Sequence, residues 1–204
     1  MNNDVERMFE KSGAVLKGHF LLASGRHSPV YWEKFQVLQF PEYTMALCSM
    51  FARFFRKCNV QLVAGPTTGG VILAFETARQ LAVRGIFAEK PVPVSSTGQA
   101  LSKAEGDSSG GRVFRRGFNI CPGERVLIVD DILTTGSSVR EVVDAVTAKK
   151  GLVVGIGVLV DRSETPVDFG VPLFSCLRSL TTTYDPEKCP LCAQKIPLVK
   201  PGSS

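Results

Sequence analysis

No run of apolar residues in this chain approaches the roughly 20 that a helix needs to cross a bilayer, which excludes a membrane-spanning helix. The opening residues, Met1-Asn2-Asn3-Asp4-Val5-Glu6, lack the basic and apolar stretches of a secretory signal, so a cytoplasmic location is expected. Long blocks of one charge sign are missing too. The net charge of +5 suits anionic ligands, but Arg53, Arg56 and Lys57 stand apart from Arg112, Arg115 and Arg116, and nucleic-acid binding is not expected. A second Cys-x-x-Cys is also absent. Cys48, Cys58, Cys121 and Cys176 stand singly in mostly apolar surroundings and read as reduced core residues. Cys189-Pro-Leu-Cys192 is half of a zinc site, with Cys176 or a second subunit as sources of further ligands. With the other half not evident, a plain tight turn is the preferred reading over zinc on Cys189 and Cys192.

What is present is an ordinary globular composition, 44% hydrophobic and 21% charged over 204 residues, enough for one domain with its own core. Val5, Met8, Phe9 and Ser12 recur at helical spacing behind an Asn3 or Asp4 cap. A second helix is expected over Tyr43–Lys57, entered after Pro41, and a short strand over Gln61–Ala64. The loop Gly65-Pro66-Thr67-Thr68-Gly69-Gly70 then leads into a helix reaching Arg84. Strands follow at Ile86–Ala88, Val126–Val129 and Leu152–Val160, with a helix over Val139–Lys150. Strands alternating with helices predict an α/β fold, a doubly wound, mainly parallel sheet flanked by helices. Ligands of such sheets bind beyond the carboxyl ends of the strands. The Gly65–Gly70 loop, the segment after Val129 and Asp161-Arg162 should therefore converge.

The richest of these segments is Val129-Asp130-Asp131-Ile132-Leu133-Thr134-Thr135-Gly136-Ser137-Ser138. A buried strand passes through a small hydroxyl-rich loop into an amphipathic helix, which aims backbone N–H groups at an anion. The loop has no lysine, so it is not the Gly-Lys-Ser/Thr loop of nucleoside triphosphatases. Asp130 and Asp131 would repel a bare phosphate. They suit a ligand that also carries hydroxyl groups or a metal ion, as a sugar phosphate does.

That run resembles the phosphoribosyl-diphosphate (PRPP) signature of type I phosphoribosyltransferases. Gly18-His19-Phe20-Leu21-Leu22-Ala23-Ser24-Gly25-Arg26-His27-Ser28-Pro29-Val30-Tyr31-Trp32 is similar to the opening of the orotate phosphoribosyltransferases, and Val160-Asp161-Arg162-Ser163-Glu164 to their Asp-Arg-x-Glu segment. The resemblance implies a single phosphoribosyltransferase domain over residues 1–204. It has a small hood built from residues 1–40 and about 180–204, and a flexible lid loop over 91–111. It implies transfer of the 5-phosphoribosyl group of PRPP to orotate, with Mg²⁺ as cofactor, held through PRPP with Asp130 and Asp131. Asp130, Asp131 and Lys90 take the catalytic roles. PRPP meets Asp130, Asp131, Ile132, Leu133, Thr134, Thr135, Gly136, Ser137 and Ser138, together with Thr68, Gly69, Lys90 and Arg116. Orotate meets Tyr31, Trp32, Thr134 and Arg162. A homodimer is the family's usual state.

The sequence departs from the family pattern at Ala23, where a lysine is common, at Thr68-Gly69, where Tyr-Lys is usual, and in the lid, which has no histidine. The lid stretch is rich in Ser, Gly and Pro, with Val92–Ser95 and Arg112–Ile120 able to pair as an antiparallel hairpin beside it. These departures leave open a phosphoribosyltransferase for another purine or pyrimidine base, or a regulator that senses PRPP on the same fold. A zinc-dependent interaction protein built on Cys189 and Cys192 is a third alternative.

Overall fold

Short apolar runs alternating with amphipathic helices assemble into one parallel sheet with helices on both faces. The computed structural model describes residues 2–22, 24–91, 111–180 and 182–201. The sheet consists of β3 (Leu62–Pro66), β4 (Arg84–Ala88), β5 (Arg125–Leu133), β6 (Leu152–Asp161) and β7 (Leu173–Arg178), in the order β4-β3-β5-β6-β7. Every neighbouring pair is parallel. An antiparallel hairpin, β1 (Val15–Leu21) with β2 (His27–Trp32), stands apart from it.

The central strand is longer than its apolar run predicts. β5 continues through both acids, with Asp130 opposite Val158, Ile132 opposite Val160 and Leu133 opposite Asp161. Asp130 and Asp131 therefore lie within the strand and do not close it. The reason is that ladder pairing is a backbone property, and β6 supplies a partner all the way to Asp161. The helix expected to reach Arg84 stops earlier, at Leu81, because Ala82 turns left-handed (φ 56°) and its N–H caps Ala78 and Arg79 carbonyls. Arg84 thereby becomes the first residue of β4.

Each face of the sheet has its own core. One packs α1 (Asn2–Lys11), α2 (Lys34–Leu38), α3 (Pro41–Phe54) and α4 (Gly69–Leu81) on Val63, Leu127, Val129 and Leu159. The other packs α5 (Ser137–Ala148) on Leu62, Val126, Ile128, Ile156 and Val158. Gly155 and Gly157 occupy one face of β6, two residues apart. A side chain at Gly157 would press on Phe51 Cδ1 at 2.9 Å, and one at Gly155 would overlap the Phe55 ring. The glycines thus let two fully buried rings rest on the strand, each contributing about 1.5–3 kcal/mol of burial.

The β1–β2 hairpin is tied to the C-terminal segment. Leu21 donates its N–H to the Val199 carbonyl (2.9 Å), and Val199 donates to His19 (2.8 Å). His27 and Tyr184 exchange both backbone bonds, at 2.9 and 2.8 Å. Of the expected lid hairpin, Val92–Ser95 lies outside the described residues. Val113 pairs instead with Glu89, through reciprocal bonds of 2.9 and 2.8 Å. No helix among the described residues is long and apolar enough to cross a membrane.

Candidate active site

Side-chain alternation along β5 sends Leu127 and Val129 to one core and Val126 and Ile128 to the other, so the next two residues, Asp130 and Asp131, diverge in the same way. Both are buried. Asp130 Oδ1 accepts from the Asp131 N–H (2.8 Å), and Asp131 Oδ1 from the Ile132 N–H (2.7 Å). Asp131 Oδ2 also lies 3.2 Å from Lys34 Nζ. Burial, reinforced by the Asp131 charge, pushes the Asp130 carboxyl up to about 7, against the pull of Lys34 and Arg112. A carboxylate offers about four lone-pair positions, so most of theirs remain for the hydroxyl groups of a ligand.

The loop after β5 is an anion cradle. Gly136 sits at φ 81° ahead of α5, and no side chain caps that helix. Apart from the Ser137 N–H, which reaches Thr135 Oγ1 at 3.5 Å, the first-turn N–H groups are left for a ligand. Thr134, Thr135 and Ser137 are exposed, Ser138 half-buried. Any side chain at Gly136 would meet Phe169 Cζ at 2.9 Å and Val167 Cγ1 at 3.0 Å. Ile132 and Leu133 do not extend this cradle with their side chains. Leu133 is buried in one core and Ile132 packs against the other, because they are ladder residues of β5 and only their backbone faces polar partners. The Leu133 carbonyl accepts the Arg162 N–H at 2.8 Å.

The β3–α4 loop lies against the acids. A side chain at Gly69 would collide with the Asp131 carboxylate, and one at Gly70 would press on Pro66 Cδ at 2.6 Å. Thr68 is exposed and leaves the α4 N-terminus without a side-chain cap. The Thr67–Thr68 peptide bond is cis. Thr67 Oγ1 accepts from Arg112 Nη1 (3.0 Å), and Arg112 Nη1 also reaches the Ala88 carbonyl at 3.3 Å. Arg112 is buried, with Nε 3.2 Å from Glu141 Oε2. Its role as a brace between this loop and α5 escaped the sequence reading, as did the role of Lys34. The only signal for Lys34 was its place two residues beyond the Tyr31-Trp32 pair.

On the hood side, Tyr31 is half-buried against Phe20, with ring centroids 5.7 Å apart. Its charge environment reaches the Arg162 guanidinium, which burial drives below its ordinary range and Tyr31 partly restores. Arg162 Nε is buried with no hydrogen-bond partner. Asp161 shapes the turn that presents it, accepting from the Ser163 N–H (2.9 Å) and Oγ (2.6 Å). Trp32 corrects the sequence reading. It is 8% exposed and packs edge-on against Phe9 at 5.3 Å, inside the core. Adjacent strand residues face opposite ways, so Tyr31 and Trp32 cannot line one pocket.

Lys90 is exposed at the end of β4. Arg116, also exposed, pairs with Glu89 at 2.8 Å and lies over the Phe87 ring at 5.7 Å. Cys189 precedes a single helical turn, α6 (Pro190–Ala193), and Cys192 lies within it; their sulfurs face His19 and His27. The expectation of a lone Cys-x-x-Cys turn is corrected on this point. The hairpin supplies the two nitrogens, more than 150 residues away in the chain.

Relatives and solved structures of one fold resemble this chain over nearly its whole length. The phosphoribosyl transferase domain model matches residues 36–176. An orotate phosphoribosyltransferase of Pelotomaculum thermopropionicum is 46% identical over 201 residues, covering 98% of this chain and 97% of that relative. One from Thermotoga maritima is 41% identical over 199 residues, covering 98% and 97%. The crystal structure of orotate phosphoribosyltransferase from Aeropyrum pernix superposes with a TM-score of 0.66 at 26% identity, over 85% of this chain and 93% of that one. With a twin-acid strand, an uncapped helix behind Gly136 and a half-buried guanidinium at one end of a parallel sheet, and with orotate phosphoribosyltransferases more than 40% identical over nearly the whole chain, the chain belongs to the orotate phosphoribosyltransferase family.

Proposed function

We propose that this chain transfers the 5-phosphoribosyl group of PRPP to orotate, giving orotidine 5′-phosphate and diphosphate for pyrimidine synthesis. Asp130 and Asp131 accept hydrogen bonds from the ribose hydroxyls. The Thr134–Ser138 loop and the first turn of α5 enclose the 5′-phosphate. Thr68 and Gly69 border the diphosphate, with Arg112 bracing their loop through Thr67. Lys90 and Arg116, on either side of the expected lid segment, whose residues 92–110 lie outside the described residues, supply cations for the departing charge.

The single observation that carries the choice of base is Arg162. Its Nε is buried and unpartnered, beside Tyr31 and anchored to the phosphate loop through Leu133. An unsatisfied buried donor costs about 1–3 kcal/mol, and a base bearing a carboxylate removes that cost with two parallel bonds. Tyr31 and Thr134 then complete the base pocket.

The site positions two reactants and stabilises charge, with no covalent nucleophile. The ribose carbon develops oxocarbenium character as diphosphate leaves, and the two acids beside the ribose favour that positive charge. The acid pair offers hard oxygens next to a glycine-rich anion loop, a donor set suited to Mg²⁺ held through PRPP. When bound, Mg²⁺ neutralises diphosphate charge and makes it a better leaving group. Asp131 already holds one cation, Lys34, so its carboxylate tolerates positive charge at this position.

Two coarser features belong to the proposal. The six unpaired cysteines suit a reducing cytoplasm. The exposed apolar residues Phe40, Met45, Ile72 and Phe75, the last 71% exposed, suit a homodimer interface.

The test mixes protein, PRPP and Mg²⁺ with a panel of bases and follows the orotate absorbance. Orotate consumption with release of diphosphate is the expected result. Consumption of a carboxylate-free base in preference to orotate would redirect the assignment. PRPP binding without turnover of any base would favour a regulatory role.

A further inference from the structure

Four metal-binding side chains converge in a place the reaction does not use. His19 and His27 come from the hood hairpin, and Cys189 and Cys192 from the C-terminal segment. Their ligand atoms all lie within 4.8 Å of one another. His19 Nε2 is 2.9 Å from His27 Nδ1, 3.5 Å from Cys189 Sγ and 3.7 Å from Cys192 Sγ. Cys192 Sγ is 3.4 Å from His27 Nδ1. With Zn–N near 2.0–2.1 Å and Zn–S near 2.3 Å, the edges of a tetrahedron would be about 3.3 Å for N to N and about 3.6 Å for S to N. These four separations differ from those edges by a few tenths of an ångström, and all six lie within 4.8 Å.

The tautomer of His19 is set by a second contact. Its Nδ1 lies 2.8 Å from the Ile196 carbonyl, which can only accept. Nδ1 therefore carries the proton and Nε2 presents a bare lone pair to the cluster, the outer-shell arrangement of a metal-bound histidine. His19, His27 and Cys189 are buried, while Cys192 is exposed and leaves a path for an ion.

The C-terminal segment also needs such a fastener. Of the described residues after 181, Cys189 alone is buried. A segment with almost no core of its own depends on cross-links or a metal for its order. Backbone bonds at Tyr184 and Val199 attach its two ends to the hairpin, and the cluster lies between them.

We propose that His19, His27, Cys189 and Cys192 bind one structural zinc ion that fastens the C-terminal segment to the β1–β2 hairpin. Two nitrogens and two thiolates select zinc among common divalent ions, and all four positions are filled by protein, as in a structural site. The hairpin carries Tyr31 on β2, which begins at His27, so the ion would also steady the base side of the pocket. The inference does not depend on which base is used.

The test is metal analysis of the full-length protein purified under reducing conditions and reconstituted with Zn²⁺. About one zinc per chain is expected, falling below a tenth in C189S/C192S and in His27→Ala. Cobalt substitution should give the visible d–d bands and the thiolate charge-transfer band of a tetrahedral sulfur site, both lost in Cys192→Ser. Cys192→Ser, at an exposed position, keeps the test valid where the double variant fails to fold. Wild-type protein that takes up no zinc, or as much as C189S/C192S, overturns the proposal. So does a Cys189–Cys192 disulfide by mass spectrometry of protein kept under reductant.

Discussion

Lys34 Nζ stands 3.2 Å from Asp131 Oδ2 and joins α2 to the acid edge of β5. Asp131 is the more buried partner, with its side chain 10% exposed against 34% for Lys34. The contact brings α2, the short helix that follows the hairpin, onto the site, so that its first residue pairs with a sugar-binding acid. Lys34→Ala leaves that carboxylate buried without its cation. We expect kcat/KM for PRPP to fall about tenfold, or about 1.4 kcal/mol. Lys34→Arg should recover part of the loss in steady-state kinetics, and an unchanged K34A enzyme would make the pair a surface ornament.

The two acids should separate stability from activity. Asp131→Asn is expected to lower turnover more than tenfold, an effect of at least about 1.4 kcal/mol. Asp130→Asn removes one of two adjacent buried carboxylates and should raise the melting temperature of the ligand-free protein by about 2–4 °C while reducing activity. A drop in melting temperature for D130N would show that Asp130 is already stabilised in the free enzyme.

Arg162→Ala tests base choice. Loss of the guanidinium should raise KM for orotate by about tenfold or more, the scale of a lost charged hydrogen bond of about 1.5–3 kcal/mol. PRPP binding, measured by calorimetry, should stay within about twofold, a change of under 0.5 kcal/mol. Equal loss toward PRPP and orotate would mean that Arg162 holds the loop through its backbone neighbours and does not read the base.

Gly136→Ala combines a left-handed backbone with a steric conflict against Phe169 and Val167. The backbone strain costs of order 1–3 kcal/mol. The variant should lower thermal stability and weaken ribose 5-phosphate binding together. A variant that binds ribose 5-phosphate normally would separate the cradle from this glycine.

Buried thiols predict an alkaline limit. Burial pushes Cys48 from 9.0 up to about 12 and raises Cys176 as well. A raised folded value means that the neutral thiol is favoured in the native state. That contribution is fully present below pH 9, and it is lost as pH climbs from 9 through about 12. Urea midpoints should therefore fall steeply above pH 9, and less steeply in Cys48→Ala. Thiol reagents at neutral pH should label exposed Cys121 at once and reach Cys48 and Cys176 only on unfolding.

Much of the site was legible because its signals are contiguous. The β5 run and its hydroxyl loop place strand, acids, glycine and helix in one stretch, and Asp161-Arg162 ends the neighbouring strand. Helix and strand ends were less legible, since β5 and β4 are extended by partners distant in sequence. The hairpin escaped notice because its strands are completed by Tyr184 and Val199. Trp32 was legible in principle: alternation along His27–Trp32 already sets it opposite to Tyr31. Arg112 had no local signal and Lys34 only its nearness to Tyr31-Trp32, since each acts on a residue from another element.

The sequence alone determined the chemistry on offer, because a strand that runs straight into an anion loop is a local pattern set by side-chain polarity and backbone freedom. Tertiary structure decided which groups meet. Only folding brings Lys34 to Asp131, leaves Arg162 Nε buried without a partner, and sets His19 and His27 against Cys189 and Cys192. Such encounters arise from packing and ladder register between distant segments, and no spacing along the chain encodes them.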